Sequence, residues 1–195
     1  MDAGTIAVIV LRLVVPFSIL RYPLGGFVAA FLLDVFDAPI ASIISPQGIA
    51  FGGDAITYNL LDKPLDLYFL FFAFLVSLRW QNVLAKRTAI ALFLLRALGV
   101  TLFSLTDSRY ILFFFPNLIE FFYLYYLISQ RWFPRFSPDS PKKLLIILIV
   151  LLIPKLINEY FVHVLKYTLV DIINLTTPLE IQAETLLDWL KDFFR

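Results

Sequence analysis

The sequence predicts an all-α integral membrane protein: a polytopic helical bundle of six transmembrane helices followed by an amphipathic surface helix at the C-terminus. Of its 195 residues, 61% are hydrophobic and 16% charged, where soluble domains run near half apolar and about a quarter charged. The excess falls in six runs, each approaching the ~20 apolar residues that a helix needs to cross a bilayer. A third observation narrows the chemistry, since there is no cysteine and only one histidine, His163. Disulfide frameworks, thiolate metal sites, cysteine nucleophiles and multi-histidine zinc sites are therefore excluded. Sixteen Lys and Arg against fifteen Asp and Glu leave a formal charge of +1, which gives no steering toward nucleic acid, so no such partner is expected.

The first segment, residues 5–20, follows Met1-Asp2-Ala3-Gly4-Thr5. That start has no basic n-region, and no small-residue cleavage site follows, so the segment is read as a retained helix and not a signal peptide. The second covers 23–44. Residues 45–59, from Ser45-Pro46-Gln47-Gly48 to Asn59, carry turn chemistry and form the one long loop, a length often associated with function. Segments 60–79, 88–106, 110–129 and 143–168 complete the bundle, so residues 1–176 are read as one six-helix domain.

Residues 177–195 read as a separate amphipathic helix. Thr177 caps it, Pro178 takes the first position and Glu180 closes a capping box. Leu179, Ala183, Leu186, Leu187, Leu190 and Phe194 line one face, and Glu180, Glu184, Asp188 and Asp192 the other. Such a helix lies on the membrane surface or against a partner, and its acidic face is not built to attract anionic lipid.

Basic residues sit in alternate short loops: Arg21; then Arg79, Lys86 and Arg87; then Arg131, Arg135, Lys142 and Lys143. Taken alone, the positive-inside rule puts these loops in the cytoplasm, and both termini and the 45–59 loop outside it. The aspartates that flank the 45–59 loop argue for the opposite orientation, and a cytoplasmic 45–59 loop is the expectation. The expected location is a cell membrane, the inner one where there are two.

Carboxylates are the chemistry-grade groups present in quantity. Asp34 and Asp37 are three apart and Asp62 and Asp66 four apart, so each pair shares a helix face. The connecting loop returns both pairs to one membrane surface. Two readings stand: solvated, unconnected acids at helix ends, or a convergent site. Four carboxylates at one depth repel one another, and a hard divalent cation, Mg²⁺ or Mn²⁺, is the usual compensation, commonly shared with phosphate.

The chain reads Asp34-Val35-Phe36-Asp37-Ala38-Pro39-Ile40-Ala41-Ser42, then Tyr58-Asn59-Leu60-Leu61-Asp62-Lys63-Pro64-Leu65-Asp66, with Leu11-Arg12-Leu13-Val14-Val15-Pro16 upstream. This resembles the CDP-alcohol phosphotransferases, six-helix membrane enzymes with an Asp-x-x-Asp-Gly-x-x-Ala-Arg stretch, a following Gly-x-x-x-Asp-x-x-x-Asp, and an Arg-x-x-x-Pro in helix one. The resemblance covers residues 6–70. Ala38, Ser42 and Tyr58 stand where the family has Gly, Arg and Gly, and the segment between the aspartate pairs is longer. The metal-binding half of the pattern is retained, as in a divergent relative.

The resemblance implies that Asp34, Asp37 and Asp62 hold one or two divalent ions on the diphosphate of a CDP-linked lipid. It implies that Asp66, within the same metal-binding set, takes the proton of an acceptor hydroxyl while CMP leaves.

A second polar stripe lies in the last segment, where Lys155, Glu159 and His163 follow at i+4 spacing with Asn158 beside them. Arg12, Arg96, Asn117 and Glu120 add to it. Ionisable groups in spanning helices face the bundle interior or a wet cavity, so the set reads either as structural ion pairs or as a polar cavity open at one end. Phe113-Phe114-Phe115 and Phe121-Phe122-Tyr123 read as packing, and Trp80 and Trp132 as interfacial aromatics.

The leading expectation is a metal-dependent phosphotransferase-like enzyme of lipid metabolism. The alternatives are a non-catalytic subunit of a larger membrane complex, and a small transporter or ion-conducting protein using the Lys155–Glu159–His163 stripe. Expected partners are membrane lipids, a CDP-linked lipid, and other membrane subunits or a second copy in a homodimer.

Overall fold

In a computed structural model the chain is described over residues 3–45, 55–106 and 108–159, with side chains at all of these except 38, 42, 55–61, 109, 158 and 159. The described residues are helical, with no strand among them. The helices are α1 (Ala3–Val14), α2 (Phe17–Arg21), α3 (Pro23–Val35), α4 (Asp37–Ile44), α5 (Ala55–Ser77), α6 (Val83–Thr106), α7 (Arg109–Phe114), α8 (Leu118–Trp132) and α9 (Pro141–Glu159), with a 3₁₀ turn at Pro134–Phe136. Three stretches are long and apolar enough to cross a membrane: Ala3–Arg21, Val83–Thr106 and Tyr110–Trp132. They mark an integral membrane protein. The 177–195 helix and His163 lie outside the described residues.

Three expected helices are broken, each beside a proline. Pro16 separates α1 from α2. In the 23–44 segment the chain bends at Phe36, and Pro39 brings no amide proton for the Val35 carbonyl one turn back. The bend keeps some helical bonding, because Phe36 N–H still donates to Leu32 and Ile40 N–H to Phe36. Between α7 and α8 the chain leaves the helix over Phe115-Pro116-Asn117. Non-helical backbone inside a span is tolerated where it is buried in protein or lines a polar cavity.

Other boundaries also shift. The third helix starts at Ala55 and not at residue 60, so Asp62 and Asp66 lie within α5 and not at its opening. Likewise α4 runs to Ile44, seven residues beyond Asp37. The aspartate pairs therefore sit inside helical segments, because α4 and α5 extend past them on the loop side.

Packing centres on α2, α3, α5, α6 and α8. Ile19, Phe27, Phe69, Leu70, Ala73, Ile119, Phe122 and Tyr123 form its interior. Ala85 and Ala89, one turn apart on α6, are fully buried; small residues let membrane helices approach closely. Gly4 has the same role on α1, where a methyl group would run into the Ala41 carbonyl of α4. Trp80 is not interfacial. It is 7% exposed and lies against Tyr126, ring centroids 3.9 Å apart, because the chain after α5 folds back onto α8. Trp132 remains exposed, as expected.

The outer surface is apolar, with Leu94, Leu98 and Leu105 on α6 and Leu145, Ile146, Ile149, Val150, Ile153 and Ile157 on α9 all exposed. Continuous apolar surface of that kind is costly in water and suits lipid. The amide of Asn82 donates to the Pro138 carbonyl at 2.9 Å. That bond holds the α5–α6 turn and the α8–α9 connection, with their basic residues, at one end of the bundle.

Candidate functional site

Arg12 projects from α1 into the angle between the α3–α4 bend and α5. Its two terminal nitrogens carry four N–H groups, and each reaches a different aspartate. Nη1 donates to Asp37 Oδ2 at 2.6 Å and Asp62 Oδ1 at 2.8 Å. Nη2 donates to Asp66 Oδ1 at 2.6 Å and to Asp34 Oδ1. The bend at Phe36 separates Asp34 at the end of α3 from Asp37 at the start of α4, and both carboxylates still meet the one guanidinium. Tyr68 steadies the arrangement by donating its hydroxyl proton to the Leu13 carbonyl at 3.1 Å.

A second cation completes the cluster. Lys63 Nζ contacts Asp62 Oδ2 at 2.6 Å and Asp66 Oδ2 at 3.2 Å. Arg12 thus takes one oxygen of each of these carboxylates and Lys63 the other. Among the described residues, these four carboxylates form ion pairs with two cations, Arg12 and Lys63. The side chains of Asp37, Asp62 and Asp66 are 3%, 6% and 7% exposed, while that of Asp34 is 20% exposed. Asp34 is therefore the carboxylate most open to an incoming ion.

Asp34, Asp62 and Asp66 each offer one oxygen, all within 4.8 Å of one another. Ligands on opposite sides of a hard cation bound at 2.0–2.6 Å lie about 4–5 Å apart, so the donor set suits such an ion. Asp37 is not part of this triad, although it shares Arg12.

The second polar group forms around the α7–α8 break. Lys155 Nζ of α9 lies 3.5 Å from Glu120 Oε2, and Asn117 donates to the same oxygen at 3.0 Å. Arg96 Nη1 donates to the Phe115 carbonyl at 3.1 Å. The approach of α6 to that break depends on Gly99, where a side chain would overlap Phe115. Arg12, grouped by sequence with this set, belongs instead to the aspartates. The side chains of Asn158 and Glu159, like His163, lie outside the described residues.

No protein-family model matches the chain, no curated protein is detectably similar to it, and no solved structure matches it.

Proposed function

We propose that the chain is a six-span membrane phosphotransferase of lipid metabolism, with a divalent cation, Mg²⁺ or Mn²⁺, held by Asp34, Asp62 and Asp66. The observation that carries this reading is the mutual approach of those three carboxylate oxygens to within 4.8 Å. When bound, the cation supplies charge neutralisation for a transferring phosphate.

The chain's own residues have separable tasks. Arg12 gathers the carboxylates from three helices and holds the oxygens it touches. Lys63 covers the outer oxygens of Asp62 and Asp66 and would yield them to the cation. Asp66, once relieved of Lys63, takes the proton of an acceptor hydroxyl. The hydroxyl oxygen then bonds to phosphorus of a CDP-linked lipid, the phosphorus–oxygen bond to CMP breaks, and CMP leaves.

A groove between α5 and α6 supports a lipid substrate. It is an open groove of about 480 Å³, lined by Pro64, Leu67, Tyr68, Phe71, Phe93 and Val100. Its Thr101 and Ser104 hydroxyls donate to carbonyls of their own helix, so the wall offers an acyl chain little competing polarity.

The test is CMP release from CDP-diacylglycerol by the purified chain with Mn²⁺ and a panel of small alcohols. Release that stops with EDTA and in Asp34→Asn is the expected result. Release that is indifferent to both, or absent with every alcohol in protein that binds Mn²⁺, would overturn the assignment. In the latter case the aspartates serve a non-catalytic membrane subunit.

A further inference from the structure

Arg96 is 2% exposed, in the middle of an apolar span on α6. A guanidinium carries five N–H donors and no acceptor. Among the described residues its one hydrogen bond runs from Nη1 to the Phe115 carbonyl, and its Nε, fully buried, has no partner. It takes part in none of the ion pairs formed among those residues. A buried charge without a counter-ion is costly, and buried donors are almost always paired.

The neighbouring anions have nearer cations of their own. Asp66 is held by Arg12 at 2.6 Å and Lys63 at 3.2 Å, and Glu120 faces Lys155 at 3.5 Å. Arg96 nonetheless stands close enough for its charge to act on Asp66, Lys63 and Glu120. Its planar fork suits two oxygens of one phosphate.

We propose that Arg96 forms an anion subsite beside the aspartate cluster and binds a phosphate group, either free or carried by a lipid. For its place in catalysis the subsite rests on the phosphotransferase reading. Its existence rests only on the buried guanidinium, which has an unpartnered Nε and no ion pair among the described residues.

The full chain in dodecylmaltoside, with EDTA present, is titrated with inorganic phosphate and separately with dihexanoyl phosphatidic acid while thermal unfolding is followed. Both should raise Tm by about 2–4 °C, the shift for roughly 1 kcal/mol in a chain of this size, and chloride at matched ionic strength should not. Arg96→Gln should weaken binding at least about tenfold, the equivalent of about 1.4 kcal/mol, and Arg96→Lys should retain part of it. Half-saturation by the lipid at much lower concentration assigns the phosphate to a lipid, and equal half-saturation assigns it to free phosphate. Either result supports the subsite.

The proposal is overturned if neither anion shifts Tm, or if Arg96→Gln binds both as the parent chain does. A structural role would appear as a large fall in Tm for Arg96→Gln without anion, and would also overturn it. The subsite predicts an unchanged or higher Tm there. Because EDTA removes divalent ions, failure of the cation site and failure of the anion subsite give different results.

Discussion

Arg12 and Lys63 hold opposite oxygens of the same carboxylates: Arg12 takes Oδ1 of Asp62 and Asp66, and Lys63 takes their Oδ2 atoms. The two cations are not equivalent. Arg12 is 4% exposed and tied to α3, α4 and α5 at once. Lys63 sits on the same helix as both its partners and is partly exposed. Arg12 is therefore the structural clamp, and Lys63 the exchangeable counter-ion.

Replacing Arg12 should cost most. Arg12→Met leaves four carboxylates facing one another, and breaking a buried pair costs about 3–5 kcal/mol. Thermal unfolding should show a Tm lower by about 10 °C or more, with partial recovery on adding Asp37→Asn. Arg12→Lys should recover little, because an ammonium has three donors for four acceptors. A Tm within about 2 °C of the parent for Arg12→Met would remove the clamp from the account.

Lys63→Met should act in the opposite sense on cation binding. Removing the ammonium frees Oδ2 of Asp62 and Asp66 and deepens the negative charge. Titration calorimetry should show Mn²⁺ binding tightened by about tenfold, or about 1.4 kcal/mol. Weaker binding in Lys63→Met would mean that Lys63 organises the site and does not compete for it.

The Lys155–Glu120 pair offers a test of the second cluster. Lys155→Met leaves Glu120 with the Asn117 amide but without its ammonium neighbour. Stability should fall, and adding Glu120→Gln should restore part of it, with a coupling of about 0.5–3 kcal/mol in a double-mutant cycle. Strict additivity of the two changes would show that this contact at 3.5 Å carries no coupling.

Gly99 tests the helix approach at the α7–α8 break, with Gly25 as its control. Gly99→Ala drives a methyl group into Phe115, and overpacking of this kind costs about 1–3 kcal/mol. At Gly25, in α3, a methyl group meets nothing within 4 Å. Gly25→Ala should therefore be neutral or stabilising by about 0.5–1 kcal/mol. Equal Tm values for the two variants would mean that Gly99 does not set the position of Phe115 against α6.

The Asp62–Asp66 pair was legible in the sequence because spacing along one helix fixes a shared face, whereas Asp34 and Asp37 lie on two helices and meet at Arg12 across the bend at Phe36. The common cation of the four was not legible, since nothing periodic links Arg12 on α1 to residues 22 and 54 positions later. The composition and the apolar runs point to helices throughout, and the described residues are helical. Pro16, Pro39 and Pro116 signalled the breaks, but the unbroken apolar character around them hid their effect. Trp80 read as interfacial because it follows a helix end near basic residues. Its burial comes from a reversal of the chain onto α8, which composition does not encode. Arg96 was legible as a buried charge, and its lack of an ionic partner among the described residues required coordinates.

Mn²⁺ binding, followed by electron paramagnetic resonance on the full chain in detergent, tests the cation site most directly. The free-ion signal should fall on adding the protein, saturating at one or two ions per chain. Asp34→Asn should return most of the signal while changing Tm little, because its carboxylate is the most exposed of the four. A parent chain that leaves the free Mn²⁺ signal unchanged, with Lys63→Met equally inert, would contradict the account and leave the four aspartates as an ion-paired brace around Arg12.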